Sequence, residues 1–149
     1  MAVFTQNIRL SFRHCDPAGL VFHPRYVEMI SEVVEAFFAD ILGWSYKEMH
    51  GPDASAVPTV NLNMDLKSPA YLHDALEFRL TITHLGTSSV KINVVAQGED
   101  GLEKFNAIST MVRVKRSDGD GGSGGGDDLG MSPAPWPEDV RAKMEAYVV

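Results

Sequence analysis

The chain has 149 residues, 44% of them hydrophobic and 22% charged, with a formal net charge of −7. That length fits one domain whose core removes roughly two thirds of the unfolded surface from water. The acidic balance excludes a nucleic-acid partner, whose phosphates need a basic surface, and no apolar run approaches the roughly 18 residues of a membrane span.

Ile8, Leu10 and Phe12 alternate with Arg9 and Ser11, so a half-buried strand is expected over 4–12. Asp16, Pro17, Ala18 and Gly19 read as a turn. Pro24 suits the first position of a helix, and Tyr26, Ile30, Val33, Phe37 and Ile41 recur at helical spacing. Val27, Met29, Val34, Phe38 and Leu42 widen the apolar side until a sheet must wrap it, and Gly43 marks the helix stop. Residues 44–56 read as a loop with a short helix near 45–50. Strands are expected over 57–66, 75–85, 89–97 and 105–115, separated by turns at Gly86-Thr87 and Glu99-Asp100-Gly101. One long apolar helix followed by an antiparallel run of strands predicts an α+β domain over 1–116. Residues 117–130, rich in Gly and Asp, read as a flexible linker. No Lys-Ser or Lys-Thr pair follows those glycines to make a phosphate cradle. A short helix over 138–147 is expected to lie in a C-terminal segment, 131–149, packed on the same domain. The N-terminal residues do not read as a signal peptide, and Cys15, the single cysteine, forms no intrachain disulfide; the expected compartment is the cytoplasm.

The functional reading concentrates in 12–26. Asp16 falls in a turn just ahead of a helix N-terminus, where backbone N–H groups without intrahelical partners hold a negative oxygen. Asp16, Gly19, Leu20, Val21, His23 and Tyr26 together resemble the motif of the 4-hydroxybenzoyl-CoA thioesterase family of hotdog proteins. The resemblance covers roughly 4–116 and is strongest over 12–45. It implies a hotdog fold, an antiparallel sheet curled around one long helix. It also implies hydrolysis of an acyl-CoA thioester, with Asp16 attacking the thioester or activating water and a backbone N–H near Phe22 and His23 polarising the carbonyl. Coenzyme A is then part of the substrate, and no separate cofactor is expected. A homodimer joined edge to edge, or a dimer of dimers, is implied as well.

For the substrate, Gly19, Tyr26 and Trp44 are the candidates around the acyl group, and the resemblance implies that Ser31 and Glu32 lie near the acyl pocket of the facing subunit. Lys67, Lys91, Arg113 and Thr87, Ser88 and Ser89 are the candidates for coenzyme A. The rings of Phe22, Tyr26 and Trp44 suit a flat acyl group of the benzoyl or hydroxybenzoyl type. Rival readings have definite residues too. A helix carboxylate, Glu32 or Glu35, is the alternative to Asp16, while His14 and His23 flank Asp16 without a Gly-x-Ser-x-Gly elbow to complete a Ser-His-Asp arrangement. His50, His73 and His84 share no metal-ligand spacing, so no metal is expected. A short-chain aliphatic thioesterase, a hotdog hydratase or dehydratase, and a non-catalytic acyl-CoA-binding protein are the alternative functions.

Overall fold

The computed structural model describes residues 1–116 and 130–149. Its main sheet has five strands in the order β1 (Phe4–Arg9), β4 (Ala75–Leu85), β5 (Ser89–Gly98), β6 (Glu103–Val112) and β3 (Thr59–Leu66), all antiparallel. Strand alternation decides which face is buried: Leu76, Phe78, Leu80 and Ile82 of β4, Val90, Ile92, Val94 and Ala96 of β5, and Phe105, Ala107 and Met111 of β6 all point inward. Register breaks at Thr59/Asn61, Ile82/His84 and Ala96/Gln97 are bulges that bend the sheet. The concave side holds α1 (Pro24–Ala36), which buries Tyr26, Met29, Ile30, Val33 and Val34 and leaves Glu28, Ser31, Glu32 and Glu35 outside. This is the hotdog arrangement, and the domain is α+β.

The helix does not run as a regular α-helix to Gly43. Residues Phe37–Ile41 form a π turn, closed by the Leu42 N–H donating to the Phe37 carbonyl at 3.1 Å, and both Phe37 and Phe38 are buried. Gly43, at φ +66°, then ends it. The first strand stops at Arg9, and Phe12–His14 forms a 3-10 turn instead. The strand expected over 105–115 splits at Arg113 into β6 and β7 (Val114–Arg116). With β2 (Ser55–Ala56) and β8 (Met131–Pro133), β7 builds a small second sheet. Two short helices complete the chain, α2 (Tyr46–His50) and α3 (Glu138–Glu145).

The C-terminal segment closes the end of the sheet remote from β1's last residue. Trp136 donates its indole N–H to the Ser89 carbonyl (3.1 Å), Arg141 donates to the Gly86 carbonyl (2.7 Å), and Ile82 exchanges backbone bonds with Tyr147 and Val149. Except for Gly130, the linker expected over 117–130 lies outside the described residues. Among the described residues no helix is long and apolar enough to cross a membrane.

Candidate active site

Residues 14–22 fold as a small hairpin between the 3-10 turn and α1. Cys15 pairs with Val21, Asp16 N–H donates to the Leu20 carbonyl (2.8 Å), and Gly19 N–H donates to the Asp16 carbonyl (3.0 Å). Gly19 stands at φ +80°, which a side chain would make costly. The hairpin is moored to the segment before β4, since Val21 N–H donates to the Ala70 carbonyl and Leu72 N–H to the Gly19 carbonyl, both at 3.0 Å.

Within this hairpin Asp16 is held by one carboxylate oxygen. Oδ1 accepts the N–H groups of Ala18 (2.9 Å) and Leu20 (3.2 Å), while among the described residues no donor reaches Oδ2. The neighbouring Cys15 thiol is pushed up by burial and by Asp16, so it stays protonated and is a poor nucleophile.

The amides at the helix start separate into used and unused donors. Phe22 N–H, expected to help polarise a carbonyl, donates instead to the His14 carbonyl at 3.0 Å; the hairpin consumes it. Arg25 N–H donates to the Phe22 carbonyl, Tyr26 N–H to the His23 carbonyl, and Pro24 has no N–H. His23 N–H is left without an acceptor among the described residues, at the positive end of α1.

Beside it lies a cleft of about 300 Å³. Leu20, Val21, Tyr26, Leu66 and Ala70 give it apolar walls, and His23, Lys67 and Ser68 its polar groups. Tyr26 is almost fully buried against Phe105, with ring centroids 4.8 Å apart. Burial, reinforced by Asp74, pushes its phenol up to about 12, so near neutral pH it is a neutral donor.

The cleft thus brings together His23, Tyr26 and Lys67, with Phe22 half exposed alongside, its ring 5.7 Å from that of His23, while Asp16 and Gly19 lie on the hairpin that supplies Leu20 and Val21 but outside the cleft lining. Other candidates stand elsewhere in the protomer. Trp44 lies beyond the other end of the long helix, more than about 20 Å along its axis at 1.5 Å per residue. There its indole donates to Asp53 (2.7 Å), and the Arg113 guanidinium lies over its ring at 5.4 Å; it does not wall the cleft. Thr87, Ser88 and Ser89 form the turn after β4, roughly 35 Å from that strand's first residue. The Thr87 and Ser88 carbonyls there accept N–H groups of Trp136 and Arg113. Lys91 is paired opposite Thr110, roughly 20 Å short of the strand end near the hairpin. Glu32 is exposed on the outer face of α1, outside the cleft lining.

One residue of this region gave little signal in the sequence. His14 is only 4% exposed; its Nδ1 accepts the Ser11 N–H at 2.9 Å, and the Ser11 hydroxyl lies 3.2 Å from the same nitrogen. Burial, followed by Arg13, lowers its pKa.

A family profile, Thioesterase superfamily, matches residues 18–104. The chain belongs to the thioesterase superfamily. It is an enzyme, its reaction class is thioester hydrolysis, and the family resemblance of the 12–26 segment is borne out, although the matched stretch begins two residues after Asp16. This thioesterase is 26% identical over 110 residues to a 1,4-dihydroxy-2-naphthoyl-CoA hydrolase from Crocosphaera subtropica, covering 74% of the present chain and 80% of the relative. Its fold superimposes on that of a 1,4-dihydroxy-2-naphthoyl-CoA thioesterase from Synechocystis with a TM-score of 0.81 at 19% identity, covering 96% of each chain. The dynemicin thioesterase, whose crystal structures reveal effects of polyene binding, gives a TM-score of 0.83 at 17% identity over 99% of each chain.

Proposed function

We propose that this thioesterase cleaves an acyl-CoA whose acyl group is aromatic, releasing the acid and free coenzyme A. The observation that supports the reading is two groups without a partner among the described residues, Asp16 Oδ2 on the hairpin and the His23 N–H that follows it, with His23 lining an apolar cleft bordered by Lys67. The His23 N–H takes the thioester oxygen as it gains charge; a preorganised donor of this type is worth roughly 3–4 kcal/mol of transition-state stabilisation. Asp16 supplies the carboxylate, acting on the carbonyl carbon directly or through water. At about 300 Å³ the cleft stands at the small end of ligand sites, which span roughly 300–1,000 Å³. It suits one or two flat rings, and two of the similar proteins act on a dihydroxynaphthoyl thioester.

A second copy of the chain completes the site in this reading. Among the described residues strand β3 is a free edge, with Val60 60% exposed. Two-fold pairing of β3 with its copy runs the strands antiparallel, which sets the Leu66 end of one protomer beside the Thr59 end of the other. Lys91 and the 87–89 turn, remote from the cleft within one protomer, belong to that Thr59 end, so they reach coenzyme A only from the partner.

Free-thiol release from a panel of thioesters tests the assignment. Benzoyl-CoA and hydroxylated naphthoyl-CoA are expected to exceed acetyl-CoA, palmitoyl-CoA and a polyenoyl-CoA in kcat/KM by at least about tenfold, which corresponds to about 1.4 kcal/mol. Preference for an aliphatic or polyene chain would reject the aromatic acyl group. Absence of thiol release from every member would reject acyl-CoA hydrolysis.

A further inference from the structure

We infer that His14 is a positioning residue for hydrolysis, its ring holding the turn that aims the His23 N–H. The inference rests on the proposed role of that N–H. His14 is a polar side chain buried on a three-residue 3-10 turn, a type of turn with weak bonds of its own. The ring supplies what the turn lacks. Its Nδ1 accepts the Ser11 N–H at 2.9 Å and lies 3.2 Å from the Ser11 hydroxyl, which places the ring proton on Nε2. The backbone of the same residue then ties both sides of the hairpin: its N–H donates to the Ser11 carbonyl (2.9 Å), and its carbonyl accepts the Phe22 N–H (3.0 Å).

Phe22 is the residue before His23, so the direction of the His23 N–H follows from where Phe22 is held. A chain of three contacts therefore connects the ring to the donor: Nδ1 fixes Ser11, the fixed turn sets the His14 carbonyl, and that carbonyl anchors Phe22. The connection holds only for a neutral ring, because a protonated Nδ1 would set one donor against another. The charged groups acting on the ring are Arg13 on its own turn and Arg25, Glu28 and Glu32 on α1. Arg25 and Glu28 are paired with each other at 2.6 Å.

The test compares H14F, which keeps a flat ring without an acceptor, and H14N, whose Oδ1 can take the Ser11 N–H. A donor misplaced by about 1 Å costs up to about 100-fold in rate. H14F is expected to lose at least tenfold in kcat, while its affinity for an aryl thioether of coenzyme A, which lacks the thioester carbonyl oxygen, stays within threefold of wild type. H14N is expected to keep kcat within threefold of wild type. Circular dichroism and thermal unfolding establish that each variant is folded. Wild-type kcat in a folded H14F, or a folded H14N as slow as H14F, would overturn the inference and leave the hydrolase reading intact. If H14F does not fold, H14N decides: kcat within threefold supports the inference and a tenfold loss overturns it. A wild-type protein that releases no thiol would overturn both.

Discussion

Asp16 holds its hairpin with one carboxylate oxygen and, in the proposed reaction, would use the other. Oδ1 holds the Ala18 and Leu20 amides and so keeps the hairpin closed, while Oδ2 is open. Asp16→Asn preserves an oxygen acceptor for the amides and removes the charge, so it separates chemistry from loop geometry. Turnover in the thiol-release assay is expected to fall by about 100-fold or more, the usual span for losing a positioned base or nucleophile, with acyl-CoA affinity largely kept. Near-wild-type turnover would move the role to Glu32 or Glu35, both on the exposed face of α1. His14 adds a pH dependence. Burial, with Arg13 second, holds its folded pKa below the ordinary 6.5, so the unfolded chain takes up this proton first as acid is added. The stability it contributes is whole above pH 6.5 and declines as pH falls through that value. Urea midpoints measured between pH 7.5 and 5 should drop more in wild type than in H14N. Asp16, Gly19 and His23 were legible because one contiguous stretch sets their relation: Gly19 is needed at positive φ, and Pro24 starts the helix. The spent Phe22 amide was not legible, because its acceptor, the His14 carbonyl, depends on how the hairpin closes eight residues away.

At the scale of elements, periodicity decided most of the outcome. Strand β4 spans the residues its alternation marked, Leu76, Phe78, Leu80 and Ile82 facing the helix, and α1 begins at Pro24. Departures occur where tertiary contacts override the local pattern. Phe37 and Phe38 both enter the core as neighbours, which the widened π turn accommodates. The strands β2 and β8 are two and three residues long, too short for alternation to register. Trp44 read as an acyl wall because sequence gives an aromatic side chain no address; α1's length puts it at the far end. The C-terminal segment depends on Trp136, which is 4% exposed, lies 6.3 Å from the Phe38 ring and bonds the Ser89 carbonyl. Trp136→Ala leaves that space unfilled and the bond unmade. Denaturant unfolding should show a loss of about 3–5 kcal/mol. A loss below about 1 kcal/mol would mean that the segment packs without this anchor.

For the whole molecule, the order β1-β4-β5-β6-β3 leaves two edges, and they are managed differently. Strand β1 is one edge, paired only with β4 among the described residues and carrying Arg9 at its end, while the part of β4 that outruns it is covered by the chain's own Tyr147 and Val149 through Ile82. Along β3 no described segment pairs with the outer side, and its exposed residues, Thr59, Val60, Asn61, Asn63, Asp65 and Leu66, carry one charge, at Asp65 near the strand's last residue. An unpaired edge with a single charge at one end is a template for another strand, whereas the outer face of α1 carries Glu28, Glu32 and Glu35 and would repel its own copy. The edge is therefore the side expected to meet a second protomer. Val60→Lys places a charge on it at a position 60% exposed in the single chain, so the fold should tolerate the change while the pairing should not. Light scattering should report a shift from dimer toward monomer. In the same samples the KM for acyl-CoA should rise by about tenfold or more, because Lys91 and the 87–89 turn lie too far from the cleft to serve it from within one protomer. A dimer that persists with unchanged KM would place the subunit contact elsewhere. A monomer with unchanged KM would show instead that each protomer binds coenzyme A with its own residues.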